Sequence, residues 1–375
     1  MAIRLAQFNV ALSYSHAGKL NGLLDAENLD DRISRIASTL RLNRPDILLL
    51  AEFDHQGDEE ATRTVERFVQ RYCLGEDEAL LGEPIDYPYS YVAESNTGRC
   101  CQTGLTHSGK PKLPADGIGF GEFLGQYNFV LLSRFPIDAD QVKSWQNMAW
   151  RSMPHHHIPT NYYLPERESE LPLSSKNHLL VPINVLGKQI HVLCCHPTPP
   201  VFDGDEKRNQ RRNQDEIQLL IDIIDNATYL RSDQGGKGGL NDQCEFVVLG
   251  DLNNDPYDGE GEASVIHSLL SHPRLHRQVA LGRQQPRSKG AFFHGISLQR
   301  QDVHRAGKSV FWTHLNGLRL DYVLPSAGLA VKDSGVFWPE KREPHRSLLE
   351  DARRRQLASV YSDHRLVWVD VDFKS

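Results

Sequence analysis

Short apolar runs ending on polar residues alternate along this chain with longer amphipathic stretches, and the alternation predicts its elements. Ile3-Arg4-Leu5-Ala6-Gln7-Phe8-Asn9, Asp46-Ile47-Leu48-Leu49-Leu50-Ala51-Glu52 and Ile190-His191-Val192-Leu193-Cys194-Cys195-His196 each read as a strand. Glu245-Phe246-Val247-Val248-Leu249, closed by Gly250-Asp251-Leu252-Asn253, is a fourth. Runs this short, bounded by glycine or loop residues, fit the interior of a sheet. Between them Ile33, Ile36, Ala37 and Leu40 recur at the spacing of one buried helix face, with Asp30 or Asp31 able to cap the first turn. Val65, Phe68, Val69 and Tyr72 repeat the pattern with Gly75 as a stop, and Ile217, Leu220, Ile221 and Ile224 mark a third helix. Strands alternating with helices early in the chain and strand-rich stretches later predict an α/β fold of two packed β-sheets flanked by helices. No internal repeat is visible in the residues.

The polar ends of the strands carry the candidate chemistry. In chain order they are Asn9, Glu52, His196, Asp251 with Asn253, then Asp321 inside Leu318-Arg319-Leu320-Asp321-Tyr322-Val323-Leu324, and finally Ser362-Asp363-His364 before Arg365-Leu366-Val367-Trp368-Val369-Asp370. Each has an ordinary explanation by itself: a turn residue, a solvated strand end, a satisfied core histidine. Their recurrence makes coincidence the weaker account, because ligands of α/β sheets gather beyond the strand ends.

This ordered series resembles the endonuclease/exonuclease/phosphatase superfamily, whose fold is that of deoxyribonuclease I. The likeness runs from Phe8-Asn9 to Ser362-Asp363-His364, with Asp46 to Glu52, Gly250-Asp251-Leu252-Asn253, Arg319-Leu320-Asp321-Tyr322 and Ser362-Asp363-His364 as its most specific stretches. The segment His196-Pro197-Thr198-Pro199-Pro200-Val201-Phe202-Asp203-Gly204 is similar to a bacterial subgroup. The resemblance implies a four-layer sandwich and hydrolysis of a phosphoester by an activated water with Mg²⁺ or Mn²⁺, Ca²⁺ being a third candidate. It also implies roles. Glu52 is the first-choice metal ligand with Asn9 beside it, and Asp363 completes a second metal site. Asp251 takes the proton of the attacking water or orients it, and Asn253 holds that water or a phosphate oxygen. Asp321 fixes the tautomer of His364, and His196 donates to the phosphate or protonates the leaving oxygen. Candidate substrate-binding residues are Arg208 and Arg212 in the basic stretch Lys207-Arg208-Asn209-Gln210-Arg211-Arg212, Trp312, and His178. For the basic stretch, a solvated first helical turn is an equally good reading.

Composition narrows the substrate without naming it. A length of 375 residues, 39% hydrophobic and 24% charged, is that of an ordinary globular protein, read here as one domain across residues 1–375. The formal net charge of −7 and the lack of a basic stripe interleaved with aromatics favour a small phosphoester over nucleic acid. A catalytically inactive binding protein of this fold is disfavoured because every expected polar group is present. A membrane-acting enzyme lacks a recognisable apolar hairpin, since Ala291-Phe292-Phe293 and Val336-Phe337-Trp338 are short. No run approaches a bilayer span. No targeting segment opens the chain, so a cytoplasmic location is the default reading, with a secreted or periplasmic one if a signal has been removed.

Stretches 94–126, 139–175 and 231–243 read as loops that would rim the active face and hold substrate choice. His155-His156-His157 invites a metal reading, but neighbours on an extended chain point apart, and a structural or solvated role is the expectation. Six cysteines form neither a zinc motif nor a disulfide framework. Cys194 and Cys195 read as buried free thiols, and Cys100-Cys101 as a loop pair that an oxidising compartment could link.

Overall fold

A computed structural model describes residues 2–350 and 362–374. Eleven strands are present among them: β1 (Ile3–Leu12), β2 (Ile47–Phe53), β3 (Tyr89–Val92), β4 (Phe129–Ser133), β5 (Lys143–Ser144), β6 (His178–Val185), β7 (Lys188–Cys195), β8 (Phe246–Asp251), β9 (Asp321–Pro325), β10 (Leu329–Val336) and β11 (Val367–Phe373). They form a six-stranded sheet, β10-β11-β1-β2-β4-β3, and a five-stranded sheet, β5-β6-β7-β8-β9. The expected two-sheet α/β sandwich is the architecture observed.

A repeat invisible in the residues appears in the strand pairing. In the first sheet β1 and β2 are a parallel pair flanked by antiparallel β11 and β4. In the second, β7 and β8 are a parallel pair flanked by antiparallel β6 and β9. The two parallel pairs therefore send four C-terminal ends toward one edge of the sandwich. Register makes them neighbours: Asn9 lies beside Ala51, one residue before Glu52, and Cys195 beside Gly250, one residue before Asp251. Asp251 is paired directly with Asp321 at the start of β9.

Alternation along β8 explains how the layers stack. Val247 and Leu249 join the larger core, which also takes Phe8, Leu48 and Leu50 of the first sheet, whereas Phe246 and Val248 join a second core beyond it. The first five helices are α1 (Lys19–Asp25), α2 (Asp31–Asn43), α3 (Glu59–Phe68), the single turn α4 (Pro165–Glu168) and the long α5 (Arg208–Ile224). Helix α2 buries Ile33, Ile36, Ala37 and Leu40, and its cap is Asp30, whose side chain accepts from Ile33 N. Helix α3 continues through a π-helical turn, Val69–Cys73, before ending ahead of Gly75. At Gly75 a Cβ would lie 2.1 Å from the Arg71 carbonyl oxygen, so only glycine fits. Helix α5 packs Ile217, Leu220, Ile221 and Ile224 into the second core.

The loops differ most from expectation. Stretch 139–175 is more than a surface rim: Trp145 and Trp150 are fully buried in the second core together with Met153, Tyr163, Leu171 and Leu173. Their spacing follows no helical or strand period, which is why a periodicity reading misses them. Polar side chains satisfy the irregular backbone. Asn96 Nδ2 donates to the carbonyls of Gln146 (2.7 Å) and Ser174 (2.8 Å), and the Asp233 carboxylate accepts from Gln146 N (2.8 Å) and Asn147 N (3.2 Å). All three long loops are thereby locked to one another. All six cysteines are free, with Cys194 and Cys195 buried and Cys100 exposed. No described helix is long and apolar enough to cross a membrane.

Candidate active site

Asn9 ties the two sheets together at their shared edge. Its Nδ2 donates to Glu52 Oε1 (3.0 Å) and to Asp251 Oδ2 (2.9 Å), while its Oδ1 accepts from Ala11 N (3.0 Å). The β1–β2 register slips between Asn9 and Leu12, and Ala11 (φ 48°) and Glu52 (φ 56°) both sit in the left-handed region. Such backbone costs about 1–2 kcal/mol per non-glycine residue and persists where surrounding contacts over-determine it. Here it turns Glu52 out of the strand alternation and onto the floor of the cavity described below.

Asp251 is the hub. Its Oδ1 accepts from Asn253 N (3.0 Å), and its Oδ2, besides the Asn9 bond, lies 3.6 Å from both His196 Nε2 and His364 Nε2. Burial pushes the Asp251 carboxyl up from its ordinary value against the opposing pull of the His364 charge, and Asp321 adds to the rise. Asn253 also adopts a left-handed backbone (φ 52°) and donates through Nδ2 to the Pro197 carbonyl (3.1 Å), stitching the turn after β8 to the one after β7.

His364 is held as a cation. Its Nδ1 lies 2.8 Å from Asp321 Oδ2, and Asp321 is fixed in turn by Gln7 Nε2 (2.9 Å) and Thr313 Oγ1 (2.7 Å). Burial opposes the charge, but Asp321 and Asp251 outweigh it and raise the imidazole to about 10. With Nδ1 committed to Asp321, Nε2–H is left as a charged donor. His196 is the opposite case: burial, reinforced by the Lys176 and His364 charges, drives it well below its ordinary value, so it stays neutral. Burial also opposes ionisation of Asp363, yet the His314 hydrogen bond (3.0 Å) and the His364 charge hold its carboxyl well below the usual range.

Beside this floor opens a cavity of about 560 Å³. Glu52, His196 and Lys176 line it together with residues of the first two long loops and of the start of α5. Arg208 is in its wall, as the basic stretch suggested, but three other proposed substrate residues are placed elsewhere or otherwise occupied. Arg212 borders the cavity, yet its guanidinium donates to the carbonyls of Ile118, Pro172 and Leu173, so no fork is left for a phosphate. His178 is buried between Ser174 Oγ (2.7 Å from Nδ1) and the Glu216 carbonyl (3.1 Å from Nε2). Trp312 packs in the larger core against the turn at Gly317 and the helix at Gly295, because its 3₁₀ turn is pressed onto Lys289–Gln299. The histidine triplet stays apart: His157 Nδ1 binds Asp215 Oδ1 (2.6 Å), a carboxylate shared with Trp150 Nε1 (2.6 Å).

Residues 6–364 match the model of the Endonuclease/Exonuclease/phosphatase family. The chain belongs to this family. The family is one of metal-dependent phosphoester hydrolases. No curated protein matches the sequence. Among solved structures, an endonuclease/exonuclease/phosphatase from Beutenbergia cavernae DSM 12333 is 15% identical with a TM-score of 0.53, covering 100% of this chain and 72% of its own. The human Nocturnin catalytic domain with bound sulfate is 15% identical with a TM-score of 0.48, over 100% of this chain and 94% of its own. At such identities the first likeness is one of fold.

The donor set fits the hard divalent cation that the family uses. Glu52 is surrounded by protein and raised by burial, and the nearby Asp251 and Asp363 charges raise it further against Asn9 and His364. The carboxylates of Glu52, Asp251 and Asp363 are the hard oxygen donors that suit a Mg²⁺-like ion, while Asn9 turns its Nδ2 toward Glu52 and Asp251 and its Oδ1 toward Ala11 N. Two groupings bring possible ligand atoms within 4.8 Å of one another: His314, Asp363 and His364, and Asp251, Asp321 and His364. In the second, the imidazole and carboxylates already serve each other as hydrogen-bond partners.

Sequence reasoning passed over Gln7, Thr313, His314, Lys176 and Glu216. The first three buttress Asp321 and Asp363 from strand or turn positions that no motif marks. Glu216, fully buried on α5, accepts from Ser175 N and Thr198 N (both 2.6 Å) and so fixes two walls of the cavity. Helix α5 buries Arg212, Asn213 and Asp215 as well, in a polar first half whose sequence does not show which charges face inward.

Proposed function

We propose that the protein is a divalent-metal-dependent phosphoester hydrolase acting on a small phosphodiester or phosphomonoester. The observation that carries the reading is the position of Asp251 Oδ2 between two imidazoles of opposite character, 3.6 Å from each, with Asn9 linking the same carboxylate to Glu52. Phosphoesters resist attack because their negative oxygens repel a nucleophile, so a site must supply charge and a base.

Glu52, Asn9 and Asp363 would hold the ion. When bound it neutralises phosphate charge and favours departure of the leaving oxygen. Asp251, with its basicity raised by burial, accepts the proton of the attacking water. The Asn253 N–H and Asn9 Nδ2 keep the carboxylate in one rotamer, and the Asn253 amide oxygen remains to orient that water. His364, kept protonated by Asp321, offers Nε2–H to a phosphate oxygen, an interaction that strengthens as charge develops in the transition state. Neutral His196 offers a further hydrogen bond to the phosphate without adding charge.

The test is release of nitrophenol from bis(p-nitrophenyl) phosphate with Mg²⁺, Mn²⁺ and Ca²⁺ in turn. Activity that requires an ion and disappears in Asp251→Asn supports the reading; turnover unaffected by chelator or by that substitution would sink it. Nucleic acid is the alternative. Plasmid nicking assayed alongside at two salt concentrations separates them, since a protein contacting several DNA phosphates loses affinity steeply with salt, log K falling by about 0.9 per phosphate. A small ester makes few such contacts, and the net charge of −7 favours it.

A further inference from the structure

We infer that the cavity beside the catalytic floor is an acceptor site for an aromatic ring system carried by the phosphoester. The inference rests on the hydrolase reading for the chemistry of the floor, but not for the occupant of the cavity. Its volume, about 560 Å³, is that of a small-molecule site and exceeds what a bare phosphate fills.

Its polarity is graded. At the floor, beside Glu52 and His196, stand Lys176, Ser175 and Thr198, which are 5%, 3% and 9% exposed. Ser175 Oγ and Thr198 Oγ1 are buried without a hydrogen-bond partner in the protein. A buried hydroxyl left unpaired costs about 1–3 kcal/mol, so a site that keeps two of them beside an ammonium is shaped for oxygen atoms of a ligand. The apolar part of the lining is Leu105, Ile118, Tyr163 and Pro199, with Phe120 and Phe202.

Those two phenylalanines decide between an aromatic and an aliphatic occupant. Phe120 is 60% exposed and Phe202 is 95% exposed, although nearly every other large apolar side chain of the second core region is buried. Phe202 also holds a left-handed backbone (φ 63°), which for a bulky residue is maintained against a steric penalty. Two rings kept in water beside an open cavity, one of them on a strained backbone, gain contact area only when something covers them. Arg208 adds a guanidinium to the same wall, about 6.0 Å from the Tyr162 ring. Rings and a guanidinium together favour an aromatic guest through edge, face and cation–π contacts that a saturated group does not make.

Binding of phosphonates, which cannot be hydrolysed at the P–C bond, tests this directly. Calorimetric titration in Mg²⁺ should give phenylphosphonate and 1-naphthylphosphonate affinities at least about tenfold above methylphosphonate, as burial of an aromatic ring predicts. The double variant Phe120→Ala/Phe202→Ala should reduce that advantage to less than about threefold, while Tyr257→Ala, exposed and remote from the cavity, should keep it. Equal affinities for methyl- and arylphosphonates, absence of arylphosphonate binding, or cyclohexylphosphonate matching phenylphosphonate would each overturn the inference. Hydrolysis measured on the same preparation is judged separately. Arylphosphonate binding without any ion-dependent turnover would refute the hydrolase reading and leave the aromatic site standing, whereas turnover without aryl preference would do the reverse.

Discussion

The catalytic floor and the cavity wall beside it are built on opposite principles. The floor is made of strand ends: Asn9, Glu52, His196 and Asp251 leave two parallel strand pairs, with Asn9 hydrogen-bonded to both Glu52 and Asp251 and His196 3.6 Å from Asp251. The wall is made of irregular chain, Leu105 to Phe120 and Tyr163 to Lys176, held by buried polar anchors such as Asn96, Arg212 and Glu216. Sheet register positions reacting groups with little freedom, whereas a wall of loops can change its lining without moving the floor. One reaction with many substrates is what such a division allows.

Changes at the floor should cost activity and spare the fold. The largest expected effect is that of Asp251→Asn, which keeps the side chain's shape while removing the base, and should lower kcat/KM for a nitrophenyl phosphodiester about 1000-fold. An unchanged thermal midpoint would accompany it. Retention of more than a tenth of the activity would show that the proton goes elsewhere. Changes at the wall should do the reverse. Arg212→Met strips the donors from the carbonyls of Ile118, Pro172 and Leu173 and should destabilise the protein by about 3 kcal/mol in urea unfolding. A variant as stable as the parent would mean that water replaces the guanidinium and that the wall is less firmly anchored than the contacts imply.

The same division explains what could be read from the chain. The strands, their polar ends and the apolar helix faces of α2 and α5 follow periodic or positional rules, so the two sheets and the polar strand ends can be read from the chain alone. The core packing of loop 139–175 has no counterpart in the spacing, because Trp145 and Trp150 enter the core from non-periodic backbone. Arg212 and Arg208 are four residues apart on one helix, yet one is spent on carbonyls and the other lines the cavity. Charge in the sequence records neither outcome. His178 and Trp312 are both enclosed by their own fold partners, which neither residue type nor position before the Asp321 strand reveals.

Asp321, paired with Asp251 across β8 and β9, touches the reaction through His364. Asp321→Asn should cost about 100-fold in kcat with little change in KM, less than loss of the base, because the imidazole remains present but loses its charge stabilisation. Thr313→Val removes one hydrogen bond to the same carboxylate and should reproduce the effect in milder form. Should Asp321→Asn instead raise KM alone, the His364 charge would be a binding feature of the ground state and the floor would be less specialised than proposed.

The smallest effect, spread over pH, compares the stability of the two regions. His55, just after β2, donates through Nε2 to the Phe129 carbonyl (2.9 Å), and His178 ties loop residue Ser174 to α5. Burial depresses both imidazoles to about 4. Each is therefore neutral in the folded protein between pH 4 and 6.5 while the unfolded chain takes up a proton, so stability must fall as pH drops through that window. Each contributes a slope of about 1.4 kcal/mol per pH unit, present at neutral pH and exhausted below the folded value. Urea midpoints measured from pH 7 to 4.5 should flatten by that share in His55→Asn and again in His178→Asn, with the two changes additive in the double variant. If only His178→Asn flattened the curve, the loop-built wall would be opening in acid ahead of the sheets, and the two regions would differ in stability as well as in construction.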